Sequence, residues 1–423
     1  MAKLLIQRLN RASSAKWVLA DQIAVSALNF ATGILLARFL GVEAYGKFVI
    51  SYSALLYANT LQQALIIAPM LSTAPQLEGS EQERYLRGML ASQIVLSIFL
   101  FAIALLSINI VNHFTHSLNF LAASFPLSLS IVFFQLQDWL RRYYFISRKA
   151  RSALINDVVS YGGQVLALTI LFKAKALSID SAFWAIAMTS ASAFVIGIAV
   201  EKLHPLRQQI LQTFQKSWRS SLNLLLAGQV NWLGSQGILV LSGLILGPQA
   251  LGGLRAAQNI AGPFSILFQG MENFVPIKAS QTYAQNQLKG LVHFLFKVSC
   301  VGGIILVVPS IIISIFSKNL TILAYGREYS DYSYLVIWQL AICLVAFLCF
   351  QGFYFFRTVD ETHQILFGSI ISSFISASAA IVLGSLIGTV GIMASILLGQ
   401  FGYIAYFTLV ISKHLKNAGI KPI

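Results

Sequence analysis

Long apolar segments separated by short polar stretches dominate the pattern of this chain. Each segment has 19 to 26 residues, and about 20 apolar residues in a helix suffice to cross the hydrocarbon core of a bilayer. None has the alternating pattern of a barrel strand, so helices, which satisfy their own backbone hydrogen bonds, are predicted. Twelve spans are predicted, at residues 17–37, 48–70, 89–111, 118–140, 154–172, 182–200, 222–246, 256–277, 291–316, 334–356, 365–387 and 390–411.

A short motif occurs twice, each time where one apolar segment ends and the next begins. Residues 40–46 (LGVEAYG) align with residues 246–252 (LGPQALG), and four of the seven residues are identical. The apolar segments on both sides match as well, which indicates a tandem duplication. Because six spans per half is an even number, both halves begin on the same side of the membrane. We therefore predict an all-α polytopic membrane protein made of two parallel six-helix repeats.

The stretch between the halves is amphipathic. Its apolar residues recur at helical spacing, and basic residues flank them. This pattern is typical of a helix that lies in the membrane interface, and the alternative is a disordered linker. The predicted organisation is an N-terminal six-helix lobe at residues 1–200, an amphipathic cytoplasmic linker at 201–219 and a C-terminal six-helix lobe at 220–423.

Composition and charge support a membrane protein and give it an orientation. The chain is 57% hydrophobic and only 10% charged, against about 25% charged residues in soluble proteins. The net charge of +15 would suggest nucleic-acid binding in a soluble protein. Here 22 of the 29 Lys and Arg residues fall on the side of the N-terminus. The positive-inside rule explains this bias and predicts that both termini are cytoplasmic, with no nucleic-acid partner.

Motifs of catalytic chemistry are absent from the sequence. It contains no phosphate-binding loop, GxSxG, HExxH or CxxC motif. The three cysteines, Cys300, Cys343 and Cys349, lie inside apolar segments and do not form a disulfide framework pattern. We therefore predict a protein that is not an enzyme, with no catalytic residue, metal site or cofactor.

Polar residues follow one face of the first two spans in each half. In the eighth span, they include Arg255, Gln258, Asn259, Gln269 and Glu272. Their counterparts in the first, second and seventh spans are Asn29, Asn59, Gln63 and Gln236. Polar stripes cannot face lipid cheaply, and hydrogen bonding between helices accounts for only a few such residues. Eight polar or small positions on one helix favour a hydrated central cavity, with these residues as substrate contacts.

Glu272 is the acidic residue that lies deepest inside a span. A charge at the centre of a membrane helix costs about 2.5–3.5 kcal/mol on the insertion scale. Such residues are commonly functional, so we predict that Glu272 couples transport to a proton or another cation. The alternative is a structural ion pair with Arg255 or Lys297.

The other charged residues of the spans lie nearer the helix ends. Arg38 and Arg255 are placed to attract an anionic substrate, or else they only fix helix position by snorkelling. Asp21, Asp138 and Asp157 are expected to pair with neighbours such as Lys16, Arg141 or Arg142 rather than to carry transport.

The run ARFLGVEAYG at residues 37–46 resembles the signature of polysaccharide-biosynthesis membrane proteins. These are the Wzx-type lipid-linked oligosaccharide (O-antigen repeat unit) flippases of the multidrug/oligosaccharidyl-lipid/polysaccharide exporter superfamily. Residues 246–252 are similar to the second-half counterpart of this signature. The resemblance covers nearly the whole chain in span number and length, and it implies two six-helix lobes around a V-shaped cavity.

The resemblance also implies a function. An undecaprenyl-pyrophosphate-linked oligosaccharide would move from the cytoplasmic to the periplasmic leaflet of a bacterial inner membrane, by alternating access, for O-antigen or capsular polysaccharide synthesis. The implied partners are this lipid-linked substrate, membrane lipid, a polysaccharide polymerase and a chain-length regulator.

Two other functions are consistent with parts of the pattern. A multidrug or cation antiporter of the same superfamily would need an acidic cavity, and Glu272 is the one acid well inside a span. A membrane glycosyltransferase or polymerase would need a long external loop with catalytic groups. No loop of the predicted topology is long enough, so this function is disfavoured.

Overall fold

The computed structural model describes the backbone of residues 2–114, 124–206, 225, 226, 228–230 and 232–417. Side chains are described for most of these residues, but not for 2–15, 108–114, 235, 265, 266, 269, 270, 272, 273 and 417. Within these ranges the regular structure is entirely helical. The chain forms two compact units, at residues 1–229 and 230–423.

Unit 1 consists of helices that correspond to the first six predicted spans. These are α1 (Ala2–Leu40), α2 (Val42–Gln62), α3 (Ala68–Thr73), α4 (Gly79–Phe114), α5 (Ser124–Ile146), α6 (Ala150–Asp157), α7 (Gly163–Lys173) and α8 (Ile179–Glu201). Two π-helical turns, Gln63–Ile67 and Val158–Gly162, join α2 to α3 and α6 to α7. The second and fifth spans are therefore continuous rods, each with one widened turn.

The core of unit 1 is apolar and gathers helices from across the lobe. Trp139 and Leu140 of α5 are fully buried against Met89 and Leu90 of α4, together with Ile67 from the π-helical turn after α2. In a bilayer the exposed helix faces meet lipid, so packing of large side chains and small residues between helices holds the lobe together.

Unit 2 contains the remaining predicted spans. Its helices are α9 (Ile238–Leu246), α10 (Pro248–Ile260), α11 (Pro263–Ile315), α12 (Ser317–Tyr325), α13 (Tyr334–Thr358) and α14 (Thr362–Asn417). A π-helical turn, Leu233–Gly237, precedes α9. The core is rich in aromatic residues, with Phe355 and Phe356 of α13 packed against Tyr403 and Phe407 of α14.

Among the residues that the structure describes, eight helices are long and apolar enough to cross a bilayer, and two long helices of unit 2 are divided internally. Helix α14 leaves helical geometry at Ile387 and Gly388, where the eleventh predicted span gives way to the twelfth. Helix α11 does so at Gln287, between the eighth and ninth. The described residues thus have the predicted all-α architecture, with helical structure at each of the twelve predicted spans.

The structure corrects one feature of the eighth span. The polar stripe predicted along one continuous helix lies on two, because α10 ends at Ile260 and α11 begins at Pro263. Gly262 N donates to Asn259 O at 2.9 Å, a three-residue bond that tightens the last turn and interrupts the helix. Pro263 is then suited to the first turn of the next helix, where no N–H is needed.

Some predicted boundaries also shift. The fourth span, predicted at 118–140, is helix Ser124–Ile146 in the described residues, so it extends beyond Leu140. The amphipathic linker predicted at 201–219 is described only as far as residue 206, and the rest of it lies outside the described residues. That prediction, with the domain boundaries, stays a prediction.

The duplicated motif has the same backbone conformation in both copies. Gly41 has φ 79° and ψ 167°, and Gly247 has φ 86° and ψ 169°. This region of φ/ψ space is essentially restricted to glycine. Each glycine precedes a helix, and its carbonyl accepts from the residue four positions later, Tyr45 N at 3.0 Å and Leu251 N at 3.4 Å. The repeat seen in the sequence is therefore present in the backbone.

Candidate functional site

A buried group of charged residues lies between the helices of unit 1. Arg141 of α5 is 2.7 Å from Asp21 of α1 through Nη2, and 2.7 Å from Asp157 of α6 through Nε. The Asp21 and Asp157 side chains are 1% and 0% exposed, and that of Arg141 is 11% exposed. Charges removed from solvent in this way need close partners. One guanidinium therefore connects three helices. Asp21 and Asp157 are paired with a basic neighbour, as the sequence predicts.

Neutral amides complete the environment of Asp157. Gln137 Nε2, on the same helix as Arg141, donates to Asp157 Oδ1 at 2.6 Å and to Asn156 Oδ1 at 3.3 Å. Asn156 Nδ2 in turn donates to Ala193 O of α8 at 2.7 Å. The network therefore reaches a fourth helix, and it satisfies groups whose burial would otherwise be costly.

Asp138 of α5 leads from this group to the second span. Asp138 Oδ1 is 3.5 Å from Arg142, and Asp138 Oδ2 accepts from Gln63 Nε2 at 3.1 Å. Gln63 Nε2 also lies 3.4 Å from Asn59 Oδ1. We call Asp21, Gln137, Asp138, Arg141 and Asp157 the charge cluster. Its three carboxylates and Arg141, together with the adjacent Arg142, have a formal charge of −1.

Both π-helical turns of unit 1 adjoin the charge cluster. One begins at Gln63, which donates to Asp138, and the other begins immediately after Asp157. An extra residue in one turn of a helix shifts the side chains that follow it, and such turns are frequent at functional sites. Each of these two turns therefore lies directly beside the network, one starting at Gln63 and the other following Asp157.

A separate neutral network lies beside the cluster. Gln62 Nε2 donates to Gln93 Oε1 at 3.1 Å and to the backbone carbonyl of Gln135 at 2.7 Å. Ser97 Oγ donates to Gln135 Oε1 at 3.2 Å. All four side chains are almost completely buried. These residues join α2, α4 and α5, so hydrogen bonding between helices accounts for part of the polar content of the spans.

The predicted substrate contacts of unit 1 are accessible to different degrees. Asn29 and Arg38 of α1 are exposed, whereas Asn59 and Gln63 are half-buried. The structure brings Asn59 and Gln63 together, and Gln63 also donates to Asp138. Gln63 is thus partly accessible to a ligand and, at the same time, hydrogen-bonded to the charge cluster.

In unit 2, the predicted contacts that can be described lie near the start of the polar stripe. Arg255 Nη1 donates to Gln258 Oε1 at 3.1 Å on the same face of α10. Arg255, Gln258 and Asn259 are half-buried, as is Gln236 in the π-helical turn before α9. Helix α10 is held by Tyr325, whose hydroxyl donates to Ala256 O at 3.2 Å. The side chains of Gln269 and Glu272 lie outside the described residues.

The sequence interpretation missed several members of these networks. Gln137, Asn156, Gln93, Ser97 and Gln135 were not singled out, because they lie in spans outside the four that carry long polar stripes. A usable signal was the run Gln135, Gln137, Asp138 within a membrane helix, since polar residues at that density need partners. Within the described residues, no group of three His, Cys, Asp or Glu side chains is placed to hold a metal ion.

Comparison with known proteins gives a family and a fold. Residues 13–266, more than half of the chain, match the family model described as "Polysaccharide biosynthesis protein". No curated protein sequence is significantly similar to this chain.

Solved structures resemble it along nearly the whole chain. An inward-facing multidrug resistance MATE family transporter of the MOP superfamily is 14% identical, with a TM-score of 0.74, over 93% of this chain and 96% of that one. The lipid II flippase MurJ in an inward closed conformation is 12% identical, with a TM-score of 0.70, over 93% and 87%. A MOP superfamily transporter from Pyrococcus furiosus is 14% identical, with a TM-score of 0.53, over 97% and 93%.

At such low identities the solved structures establish the fold alone, while the match to the family model establishes family membership. The all-helical architecture, the glycine motif repeated between spans and the match over residues 13–266 agree with one another. The chain is therefore a multi-pass membrane protein with the MOP superfamily fold, and it belongs to the polysaccharide biosynthesis protein family.

Proposed function

We propose that this protein is a flippase that moves undecaprenyl-pyrophosphate-linked oligosaccharide repeat units from the cytoplasmic to the periplasmic leaflet of a bacterial inner membrane. The observation that carries the proposal is membership of the polysaccharide biosynthesis family on a transporter fold. The bias of 22 basic residues to 7 supports cytoplasmic termini. A polysaccharide polymerase and a chain-length regulator are proposed as partners that act on the product.

The chemistry of the accessible polar residues suits this cargo. Amide side chains at Asn29, Asn59, Gln236, Gln258 and Asn259 can donate to and accept from sugar hydroxyl groups. The planar guanidinium groups of Arg38 and Arg255 match the geometry of phosphate oxygens and form strong charge-assisted hydrogen bonds. Arg255 is already oriented by its bond to Gln258. We propose that these residues, with Gln63 and Gln269, contact the substrate.

The function is tested by deleting the gene in its native strain. We expect surface polysaccharide to be lost and lipid-linked repeat units to accumulate with the glycan facing the cytoplasm. Surface labelling of the glycan measures the surface polysaccharide. Extraction of the lipid-linked fraction measures the accumulated repeat units. Normal surface polysaccharide in a strain without a second gene of this family would contradict the proposal.

The two arginines are tested by paired substitutions in that deletion strain. If they bind pyrophosphate, Arg38→Lys and Arg255→Lys should keep partial function because the charge survives, whereas Arg38→Gln and Arg255→Gln should restore less than about a tenth of surface polysaccharide. One lost charge-assisted hydrogen bond, about 1.5–3 kcal/mol, corresponds to that scale.

Protein amount is measured in the same membranes, because loss of the protein would imitate loss of binding. Arg327→Gln is a matched control, since Arg327 is an exposed arginine in a short 3-10 helix outside the long spans. Full complementation by well-expressed Arg38→Gln and Arg255→Gln proteins would leave the arginines with an orienting role only.

A further inference from the structure

Unit 1 has a groove lined by exposed apolar side chains, which the proposed transport function does not use. Its volume is about 150 Å³, and it runs between α6, with the π-helical turn that follows, and α8. Ser152, Ile155 and Val159 line one side at helical spacing, and Ile196 and Val200 line the other. Seven residues of helix span about 10 Å, so the groove is elongated along the helices.

The walls of the groove are apolar and accessible. The exposed fractions of Ile155, Ile196 and Val200 are 56%, 53% and 70%. In a chain that spans a membrane, exposed apolar side chains at this position along a span face lipid hydrocarbon. Ser152, Asn156 and Tyr144 are the polar residues of the lining, and the rest of it is apolar. A hydrocarbon chain is the chemistry that fits the walls.

One polar group lies in the floor of the groove without a partner. Tyr144 of α5 lines the groove and is 3% exposed, and its hydroxyl makes no hydrogen bond to any group that the structure describes. Gly197 provides the space, because a Cβ at that position would lie 2.9 Å from the Tyr144 hydroxyl and 2.3 Å from Leu140 Cδ2. A buried phenol usually has a hydrogen-bond partner, which points to an acceptor supplied by a bound molecule.

Positive charge is concentrated where both walls end. Arg148 precedes α6 and Lys202 follows α8, and both are exposed, with left-handed backbone at φ 58° and 52°. Lys149 and Glu201 form an ion pair that joins the same two helix ends. The Glu201 carboxylate raises the pKa of Lys149. The two opposite charges of this pair therefore balance each other. Arg148 and Lys202 form no ion pair within the described residues, and two basic side chains therefore remain for an external anion.

The chain beyond α8 leads away from the groove. Leu203 is buried in the unit 1 core with Leu90 and Trp139, and Leu206 N donates to Arg87 O of α4 at 3.1 Å. The described part of the connecting segment thus runs toward α4 rather than along the outer face of α8. This direction favours an occupant from outside the chain.

We propose that the groove binds one anionic phospholipid of the bilayer. The acyl chain lies between α6 and α8, an ester oxygen near the glycerol accepts from the Tyr144 hydroxyl, and the phosphate lies between Arg148 and Lys202. Juxtamembrane basic residues bind anionic headgroups in this way. The proposal needs only membrane insertion, so it stands independently of the flippase function.

Native mass spectrometry of the full-length protein tests the proposal. The protein, released from detergent after equilibration with equal amounts of dioleoyl phosphatidylglycerol and dioleoyl phosphatidylcholine, should retain one phosphatidylglycerol per chain, with a preference of about fivefold or more. Arg148→Gln/Lys202→Gln should reduce this preference to parity. Tyr144→Phe should weaken retention of phosphatidylglycerol, and Val200→Trp, which fills the groove from an exposed position, should abolish retention.

Two control variants separate the groove from general effects. Lys175→Gln removes an exposed lysine with left-handed backbone, φ 55°, from the loop at the other ends of the same helices. Val195→Trp adds a ring at an exposed position of α8 that does not line the groove. Both should behave as the unmodified protein does. Equal retention of the two lipids by the unmodified protein, retention by Val200→Trp, or a dimer that Val200→Trp dissociates would overturn the proposal.

Discussion

Replacing Arg141 with glutamine is expected to remove most of the folded protein from the membrane. The substitution leaves the Asp21 and Asp157 carboxylates buried without a cation, at positions that are 1% and 0% exposed. Breaking a buried ion pair by removing one partner costs about 3–5 kcal/mol, and here one guanidinium serves two partners. The thermal midpoint of the detergent-solubilised protein, followed by size-exclusion chromatography after heating, measures the loss.

The neighbouring arginine gives a matched control. Arg142 is on the same helix, but its side chain is 30% exposed and lies 3.5 Å from Asp138. Ion pairs with this access to solvent contribute about 0–1 kcal/mol, so Arg142→Gln should change the midpoint little. Arg141→Gln combined with Asp21→Asn and Asp157→Asn should recover much of the loss, since all three charges are removed together. An Arg141→Gln protein as stable as Arg142→Gln would show that the two aspartates do not depend on Arg141.

Glu272→Gln is expected to abolish gradient-driven transport while the protein stays folded. We propose that Glu272, nine residues after the start of α11, couples transport to an ion, most simply a proton. Glutamine keeps the shape of the side chain but cannot change its charge, whereas Glu272→Asp should keep partial activity. Flipping of a lipid-linked oligosaccharide in proteoliposomes, with and without an imposed proton gradient, measures the effect.

The competing explanation makes different predictions for the same variant. If Glu272 is a structural partner of Arg255 or Lys297, Glu272→Gln should lower the thermal midpoint, and neutralising that partner should restore activity. Glu328→Gln is a suitable control, because Glu328 is an exposed acid in the short 3-10 helix Arg327–Tyr332. Full gradient-driven transport by a well-expressed Glu272→Gln protein would exclude the coupling role.

The span pattern was predictable from sequence because apolar length is dictated by the bilayer itself. The division of α14 at Ile387 and Gly388 falls where two apolar segments meet, and the paired glycines at 41 and 247 mark equivalent turns. The pairing of Asp21 and Asp157 with a basic neighbour was also expected, because a buried carboxylate is costly unless a cation lies close to it. These features depend on strong, local requirements.

Other features depend on contacts between distant parts of the chain. The interruption between Ile260 and Pro263 follows from a short turn within an otherwise helical pattern. The π-helical turns at Gln63–Ile67 and Val158–Gly162 have no distinctive residues, and their position makes sense only beside Asp138 and Asp157. Predicting the amide network of Gln62 and Gln93 requires knowing which helices are in contact, and a single sequence does not provide that.

The shared conformation of Gly41 and Gly247 bears on how the two halves diverged. Side chains around these positions drifted apart until four of seven residues remained the same, yet the dihedral angles differ by only a few degrees. Any β-carbon at either position would strain the turn by about 1–3 kcal/mol. The glycine in one half does not relieve strain in the other half. The repeated motif therefore gives this protein two separate positions, one in each half, at which any residue other than glycine is penalised.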